Sequence, residues 1–209
     1  MEEQQNVKVY RRLGIFGGTF DPIHTGHLVT AEAVRDEYKL DKVLFIPAAQ
    51  PPHKQHQQLA PARQRFEMAL LATASNINFE VLTLELERPG LSYTVDTVHE
   101  LLQMYGMGTE FYFITGADTI GEIHTWQHIG ELLSLCHFVA ATRPGCKPDM
   151  DMICQHLGKA GMEHIHRLST PALEISSTDI RSRVRQGLSV KYIVPEPVEA
   201  YIYKEGLYK

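Results

Sequence analysis

The sequence has little cysteine, which limits the covalent cross-links that it can build. Its 209 residues include three cysteines, Cys136, Cys146 and Cys154, and no two of them form a CxxC pair. A chain of this length can bury a sizeable core without disulfides, and an odd number of cysteines does not form a closed disulfide set. We therefore expect free thiols.

The sequence also lacks an excess of positive charge. Lysine and arginine total 20 against 25 aspartates and glutamates, which gives a formal net charge of −5. A surface that holds long nucleic acid is normally basic, so this balance argues against nucleic acid as a partner. Small anions remain possible ligands despite the net negative charge, because a few local basic groups are enough to bind them.

Long apolar runs are missing as well. A membrane-spanning helix needs about twenty apolar residues, and no such stretch occurs. Residues 1–12 are polar and charged, whereas a secretion signal has a basic segment followed by an apolar run. We expect a cytoplasmic protein with no membrane partner. The sequence does not decide between a monomer and a homo-oligomer.

Short apolar runs rich in β-branched and aromatic residues alternate with stretches that favour helices. The predicted strands cover residues 13–16, 43–47, 79–82, 111–115 and 137–142. The predicted helices cover residues 26–38, 61–74, 94–105, 149–160 and 180–186, and a short last helix follows Pro195. This alternation predicts one α/β domain over residues 1–209, with a doubly wound, Rossmann-like parallel sheet and a short C-terminal helical segment. In such folds ligands bind in the loops that follow the strands.

The loop after the first predicted strand is the most informative segment. Residues 14–28 read GIFGGTFDPIHTGHL and contain neither a P-loop nor a GxGxxG motif. Gly17 and Gly18 let the backbone approach a ligand, and the following helix start offers unpaired N–H groups suited to phosphate. His24 and His27 can each donate an N–H to one anion. An isolated HxxH pair would more often be a loop histidine and a capping histidine, but the glycine pair upstream favours phosphate binding.

A second segment near the end combines a helix start with a cation. Residues 175–181 read ISSTDIR. The hydroxyl groups and free amides at such a helix start bind anions, and the guanidinium of Arg181 one turn later adds a fork of donors. The alternative is an ordinary Ser/Thr cap followed by a solvated arginine.

GGTFDPIHTGH resembles the signature of the HxGH nucleotidyltransferase superfamily, and specifically that of bacterial nicotinate-nucleotide adenylyltransferases. ISSTDIR is similar to the second motif of that superfamily, and PPHK, SYTVDT, GAD and RPG match the nicotinate branch in order and approximate spacing. The resemblance covers nearly the whole chain. It implies transfer of AMP from ATP to nicotinate mononucleotide, giving deamido-NAD and pyrophosphate, with Mg²⁺ bound through the phosphates of ATP.

The resemblance also implies roles for individual residues. The implied ATP site consists of Gly17, Gly18, Thr19, Phe20, His24, His27, Ser177, Thr178 and Arg181. The implied acceptor site consists of Lys54, Tyr93, Thr94, Gly116, Asp118, Trp126 and Arg143. Of these, His24, His27 and Arg181 are expected to act on the reacting phosphates, and no protein ligand for a metal is expected.

The surroundings of the only tryptophan leave two interpretations open. In the family an aromatic ring at this position stacks on the nicotinate, whereas a lone tryptophan is more often a core residue. The run HTWQH over residues 124–128 lacks the Lys or Arg and the second aromatic that family members often have there. His124 and His128 have the spacing of two helix-borne zinc ligands, but the glutamate of a zinc protease and a third ligand are missing, so we do not expect zinc.

Two rival functions remain. The first is a sister nucleotidyltransferase with another acceptor, such as nicotinamide mononucleotide, phosphopantetheine, or a sugar or polyol phosphate. The second is a regulatory module that binds a nucleotide without turnover. SYTVDT, GAD and Trp126 favour nicotinate over other acceptors, and His24, His27 and Arg181 favour an active enzyme.

Overall fold

The computed structural model describes residues 10–142, 150–171 and 173–209. Within them the chain forms a sheet of parallel strands. These strands are β1 (Arg12–Gly18), β2 (Lys42–Pro47), β3 (Phe79–Val81), β4 (Glu110–Gly116), β5 (His137–Thr142) and β6 (Ile165–Ser169). Their order across the sheet is β3-β2-β1-β4-β5-β6. This is the doubly wound order of the Rossmann-like fold, so the predicted fold class is confirmed.

Helices connect the strands and cover both faces of the sheet. They are α1 (Thr25–Tyr38), α2 (Ala62–Thr73), α3 (Leu84–Glu87), α4 (Thr94–Tyr105), α5 (Ala117–Gly121), α6 (Ile129–Leu135), α7 (Met150–His164), α8 (Ser177–Arg185) and α9 (Glu196–Lys204), with 3₁₀ turns at Pro52–Lys54 and Ile123–Thr125. In the described part of the chain no helix is long and apolar enough to cross a membrane.

The alternation of side chains along the strands divides the core between the two faces. On one face Val43 and Phe45 of β2 pack with residues of α1, α2, α8 and α9. On the other face Leu44 and Ile46 of the same strand pack with residues of α4 and α6. Because both faces of the sheet are covered, its central strands are apolar throughout rather than alternating in polarity.

The segment around α8 and α9 closes over the loop that follows β1. The Ser177 hydroxyl donates to the carbonyl of Pro22 at 2.9 Å. The Thr25 amide at the start of α1 donates to the carbonyl of Ile193 at 3.1 Å. Residues from the two ends of the sequence are therefore joined by hydrogen bonds at this loop.

Cys136 is the one cysteine whose side chain falls in the described part of the chain. It is buried and forms no disulfide, as expected. Burial raises the pKa of its thiol to about 12, so it stays protonated near neutral pH. Cys146 and the side chain of Cys154 lie outside the described residues.

A histidine cluster lies at the amino ends of β5 and β6, on the sheet edge opposite the loops that follow the strands. His137 Nδ1 lies 3.1 Å from His166 Nε2, and the His164 ring stacks on that of His137 with 5.1 Å between centroids. Burial, His166 and His164 lower the pKa of His137, and nearby Arg12 acts in the same direction while Glu110 opposes it. Burial and His164 lower the pKa of His166.

This cluster predicts a loss of stability in mild acid. Because the folded pKa values lie below the unfolded value of about 6.5, the folded state binds fewer protons than the unfolded chain. The stability that the neutral histidines contribute to the folded state is fully present above about pH 6.5, and it is lost as the pH falls toward the folded pKa values. We expect Tm to fall between about pH 7.5 and about pH 5.5, and to fall less in His166→Gln. The exposed His56→Gln is the control, and an equal pH dependence in wild type and His166→Gln would contradict the prediction.

Candidate active site

A cavity of about 520 Å³ opens at the carboxyl ends of the central strands. It lies where the strand order reverses between β1 and β4, since residues of both strands line it. This is the place where open α/β sheets bind ligands. Among the predicted site residues, those that line the cavity are Gly17, Gly18, Thr19, His24, His27, Lys54, Thr94, Gly116 and Trp126.

The two histidines of the first loop form a stacked pair. Their ring centroids are 3.7 Å apart with 27° between the planes. The backbone N–H of His24 donates to Nδ1 of His27 at 3.2 Å. A neutral His27 that accepts at Nδ1 carries its proton on Nε2, so Nε2–H is the group that it can offer to a ligand in the cavity. Burial, His24 and Lys54 lower the pKa of His27 well below its ordinary value, so it is neutral in the free protein at neutral pH.

The glycines of this loop make room for rings. A Cβ at Gly26 would lie 3.1 Å from Nδ1 of His24, and a Cβ at Gly18 would lie 3.1 Å from the ring of Phe20. A Cβ at Gly17 would lie 3.1 Å from the ring of Phe113. The sequence suggested that Gly17 and Gly18 allow close approach of a ligand, and the structure adds that neighbouring aromatic rings already occupy the space beside them.

Lys54 brings a positive group to the cavity. It ends the 3₁₀ turn Pro52–Lys54, in the loop that follows β2. Burial and the charge of Arg181 lower the pKa of Lys54, and the charge of Asp21 opposes them. The pKa values of His27 and Lys54 are lowered for the same two reasons. Each group is removed from water, and each lies beside other groups that carry positive charge. An anion in the cavity would relieve that repulsion.

The second predicted phosphate motif lies at the start of α8. The hydroxyl of Ser176 accepts from the amide of Asp179 at 3.0 Å, so Ser176 is the N-cap. Gly187, just after this helix, has a φ of +69°. Arg181 donates to the main-chain carbonyl of Asp21 at 2.7 Å and to the hydroxyl of Thr178 at 3.3 Å. The guanidinium is therefore held against the first loop rather than turned to solvent.

Not every predicted ATP-site residue reaches the cavity. Within the described ranges, Phe20, Ser177, Thr178 and Arg181 are absent from its lining. Phe20 is buried and packs edge-on against Phe16 and His27, with 5.2 Å between its centroid and that of His27. Phe20 therefore supports the ring of His27 by packing against it.

The acceptor-side residues gather around the tryptophan. Trp126 lines the main cavity and also an adjoining cavity of about 280 Å³, which Tyr93 and Thr94 line as well. Its ring meets Phe113 edge-on at 5.5 Å and Phe138 edge-on at 6.0 Å. One side of the ring thus packs on the core while another borders the cavities, and stacking on a nicotinate stays a prediction.

Glu85 is a buried acid in the cavity wall that sequence reasoning missed. Its Oε1 accepts from the hydroxyl of Thr97 at 2.7 Å, and Ser92 adds a second side-chain hydrogen bond. Burial raises the pKa of Glu85, and these two hydrogen bonds act in the opposite direction without cancelling the effect of burial. The Ser92 hydroxyl in turn accepts from the amide of Ala49 at 3.1 Å. This network ties the loop after β2 to the start of α4, where Thr94 lies.

Arg65 is the second residue that sequence reasoning missed. It lies on α2 with 1% of its surface exposed. Its guanidinium donates to the carbonyls of Thr19 and Ala48 at 2.7 Å each, of Ala60 at 2.9 Å and of Ala49 at 3.2 Å. It thus joins the loop after β1 to the loop after β2. The sequence gives no signal for it, because its burial is seen only in the structure and its partners are main-chain atoms that leave no pattern.

Arg143 lies outside the described residues, as does the side chain of Asp118. His124 and His128 do not share a helix, because His124 lies in a 3₁₀ turn and His128 precedes α6 with a φ of +54°. In the described part of the chain no group of three or more His, Cys, Asp or Glu side chains is arranged to hold a metal ion.

The chain matches known proteins over most of its length. The cytidylyltransferase-like family model matches residues 15–183. The chain is 53% identical over 199 residues to a probable nicotinate-nucleotide adenylyltransferase of Thermoanaerobacter sp. strain X514, covering 95% of this chain and 94% of the relative. It is also 53% identical to the protein of the same description from Moorella thermoacetica, covering 95% and 92%.

Solved structures share the fold at lower identity. Nicotinic acid mononucleotide adenylyltransferase of Plasmodium falciparum, in a complex with NaAD, superposes with a TM-score of 0.75 at 20% identity, covering 95% of this chain and 97% of that one. A putative nicotinate-nucleotide adenylyltransferase of Vibrio parahaemolyticus superposes with a TM-score of 0.65 at 18% identity, covering 95% of each chain. At these identities the likeness concerns the fold.

Proposed function

Because this chain belongs to the nicotinate-nucleotide adenylyltransferases, within the cytidylyltransferase-like family, we propose that it transfers AMP from ATP to nicotinate mononucleotide. The products are deamido-NAD and pyrophosphate. The observation that carries the proposal is one cavity lined by His24, His27 and Lys54 and also by Thr94 and Trp126. Groups suited to phosphates and groups suited to a flat ring thus lie within reach of one substrate pair.

The reaction needs no general base. The 5′-phosphate of the acceptor has a second pKa of about 6, so it is largely dianionic at neutral pH. One of its oxygens attacks the α-phosphorus of ATP, the bond from that phosphorus to the bridging oxygen breaks, and pyrophosphate leaves with the electron pair. Catalysis then depends on alignment and on stabilising charge, since two anions must be brought together.

The residues divide this work between them. Nε2–H of His27 donates to the α-phosphoryl oxygens as negative charge moves toward the leaving pyrophosphate, and His24 holds the ring of His27 by stacking on it. Lys54 aligns the incoming phosphate. Arg181, Ser177 and Thr178 complete the triphosphate site from the start of α8 once ATP is bound. The amides of Gly17, Gly18 and Thr19 and the start of α1 add uncharged donors.

Magnesium enters with the substrate. The side chains that we assign to the phosphates are imidazoles, an ammonium and a guanidinium, whereas Mg²⁺ prefers oxygen ligands and keeps several waters. This donor set fits an ion that is held by the phosphate oxygens of ATP. We therefore treat the magnesium complex of ATP as the substrate and assign no protein ligand to the metal.

An acceptor panel tests the proposal. Nicotinate carries a carboxylate where nicotinamide carries an amide, and a site that offers N–H donors at the start of α4 leaves the NH₂ of the amide unpaired at a cost of about 1–3 kcal/mol. We expect kcat/KM for nicotinate mononucleotide to exceed that for nicotinamide mononucleotide by about tenfold to a hundredfold or more. Pyrophosphate release would be measured with each acceptor at constant ATP and Mg²⁺.

The outcomes of the panel separate the rival functions. Trp126→Ala should weaken both acceptors, because stacking serves the ring, while leaving the preference for the acid in place. Equal use of both mononucleotides would indicate a sister enzyme with dual specificity. Preference for phosphopantetheine or a polyol phosphate would indicate another branch of the superfamily. ATP binding without pyrophosphate release for any acceptor would indicate a regulatory module.

A further inference from the structure

Arg181 is oriented by a residue of the first loop. Its Nη1 donates to the main-chain carbonyl of Asp21 at 2.7 Å and lies 3.7 Å from the carboxylate Oδ2 of the same residue. Its Nη2 donates to the hydroxyl of Thr178 at 3.3 Å. Asp21 therefore sets both the position of the guanidinium and the direction of its remaining donors.

Asp21 is in turn held by a residue far along the sequence. It is 2% exposed. Its Oδ1 accepts from the hydroxyl of Tyr208 at 2.8 Å and from the amide of Ala60 at 3.2 Å. Burial and the Asp21 carboxylate raise the pKa of the Tyr208 hydroxyl, so it remains protonated and keeps donating.

The backbone at Tyr208 shows that this contact is built into the fold. Tyr208 has a φ of +65°, a left-handed conformation that a bulky side chain rarely adopts. The preceding residue, Leu207, is buried against the core, and its amide donates to the carbonyl of Ile202 in α9 at 3.0 Å. A strained conformation persists where the surroundings hold it, and here they direct the phenol ring toward Asp21.

We propose that Tyr208 is a positioning residue for ATP, which acts through Asp21 on Arg181. This inference rests on the proposed function, because it assumes that Arg181 binds the triphosphate. Tyr208 does not line the cavity and touches no substrate in this scheme. Its role is to keep the carboxylate of Asp21 in place so that the guanidinium meets ATP in one orientation.

Tyr208→Phe is the test, since it removes the hydroxyl and keeps the ring. We expect KM and Kd for ATP to rise about fivefold while KM for nicotinate mononucleotide changes little, and we expect only a modest fall in Tm, because the buried carboxylate of Asp21 loses one donor and keeps the amide of Ala60. Tyr203→Phe is the matched control: that tyrosine lies on α9, is exposed and is outside the network. In the Arg181→Ala background Tyr208→Phe should have no further effect on ATP, because a residue that acts through Arg181 has nothing left to position.

Three results would overturn the inference. They are an unchanged Kd for ATP in Tyr208→Phe, an equal loss for both substrates that follows a fall in Tm, and an undiminished effect in the Arg181→Ala background. Calorimetric titration of the wild type and of the Tyr208→Phe protein with the magnesium complex of ATP needs no acceptor. It therefore tests Tyr208 even if the acceptor panel refutes nicotinate mononucleotide as the substrate.

Discussion

Replacing His27 by alanine is expected to lower kcat by about a hundredfold or more, while Kd for ATP changes much less. The reason is that Nε2–H of His27 is assigned to the α-phosphoryl oxygens, where charge develops only as the bond to pyrophosphate breaks. A donor that matters most in the transition state affects turnover more than binding. Initial rates of pyrophosphate release at saturating substrates measure kcat, and calorimetric titration measures Kd.

Two further substitutions at His27 test which nitrogen acts. The side-chain amide of glutamine can take the place of Nε2, whereas that of asparagine reaches only the place of Nδ1. His27→Gln should therefore recover part of the lost turnover, and His27→Asn should not. The exposed His56→Ala controls for removal of a histidine in general. Near wild-type turnover in folded His27→Ala would refute the assignment.

Replacing Arg181 by alanine should lower kcat/KM for ATP by about a hundredfold, because a charged fork that binds phosphate acts in the ground state and in the transition state. Arg181→Lys should restore only part of it. A lysine carries one ammonium, which cannot hold the carbonyl of Asp21 and the phosphates with the same geometry. Steady-state kinetics at varied ATP, together with ATP titration, measure both effects.

Arg185→Ala is the matched control for this series, since Arg185 ends the same helix and is exposed. It should behave as wild type. If ATP binding is unchanged in both Arg181→Ala and Arg181→Lys, Arg181 serves only to join the first loop to α8.

The fold was predictable because its signals are local. Each predicted strand from β1 to β5 is an apolar run whose type is visible in a short window, and their alternation with helices indicates parallel pairing. β6 was missed because His166 and Arg167 interrupt its apolar pattern at the edge of the sheet, where one side is exposed. The short helices α3, α5 and α6 were missed because they are too brief to show a helical period.

From the residues alone, a candidate site could be inferred only where its members are close in sequence, whereas Lys54, Thr94 and Trp126 were expected only from the resemblance to the family. Gly17, Gly18, His24 and His27 fall within one loop, so their chemistry could be inferred together. Glu85 acquires its importance from burial beside Thr97, and Tyr208 from a hydrogen bond to a residue 187 positions earlier. Contacts of that kind depend on the packing of the whole molecule, and a single sequence does not reveal them.

The hydrogen-bond partners of Arg65 determine which sequence changes the loops around the site of this enzyme can tolerate. All four are main-chain carbonyls, belonging to Thr19, Ala48, Ala49 and Ala60. A carbonyl is the same in every residue, so for this contact the side chains at those positions are free to vary. The number of residues between these positions is not free to vary, because an insertion or a deletion beside any of these carbonyls moves that carbonyl away from the guanidinium. The contacts of Arg65 therefore constrain the lengths of these loops and not the identities of the residues at those positions.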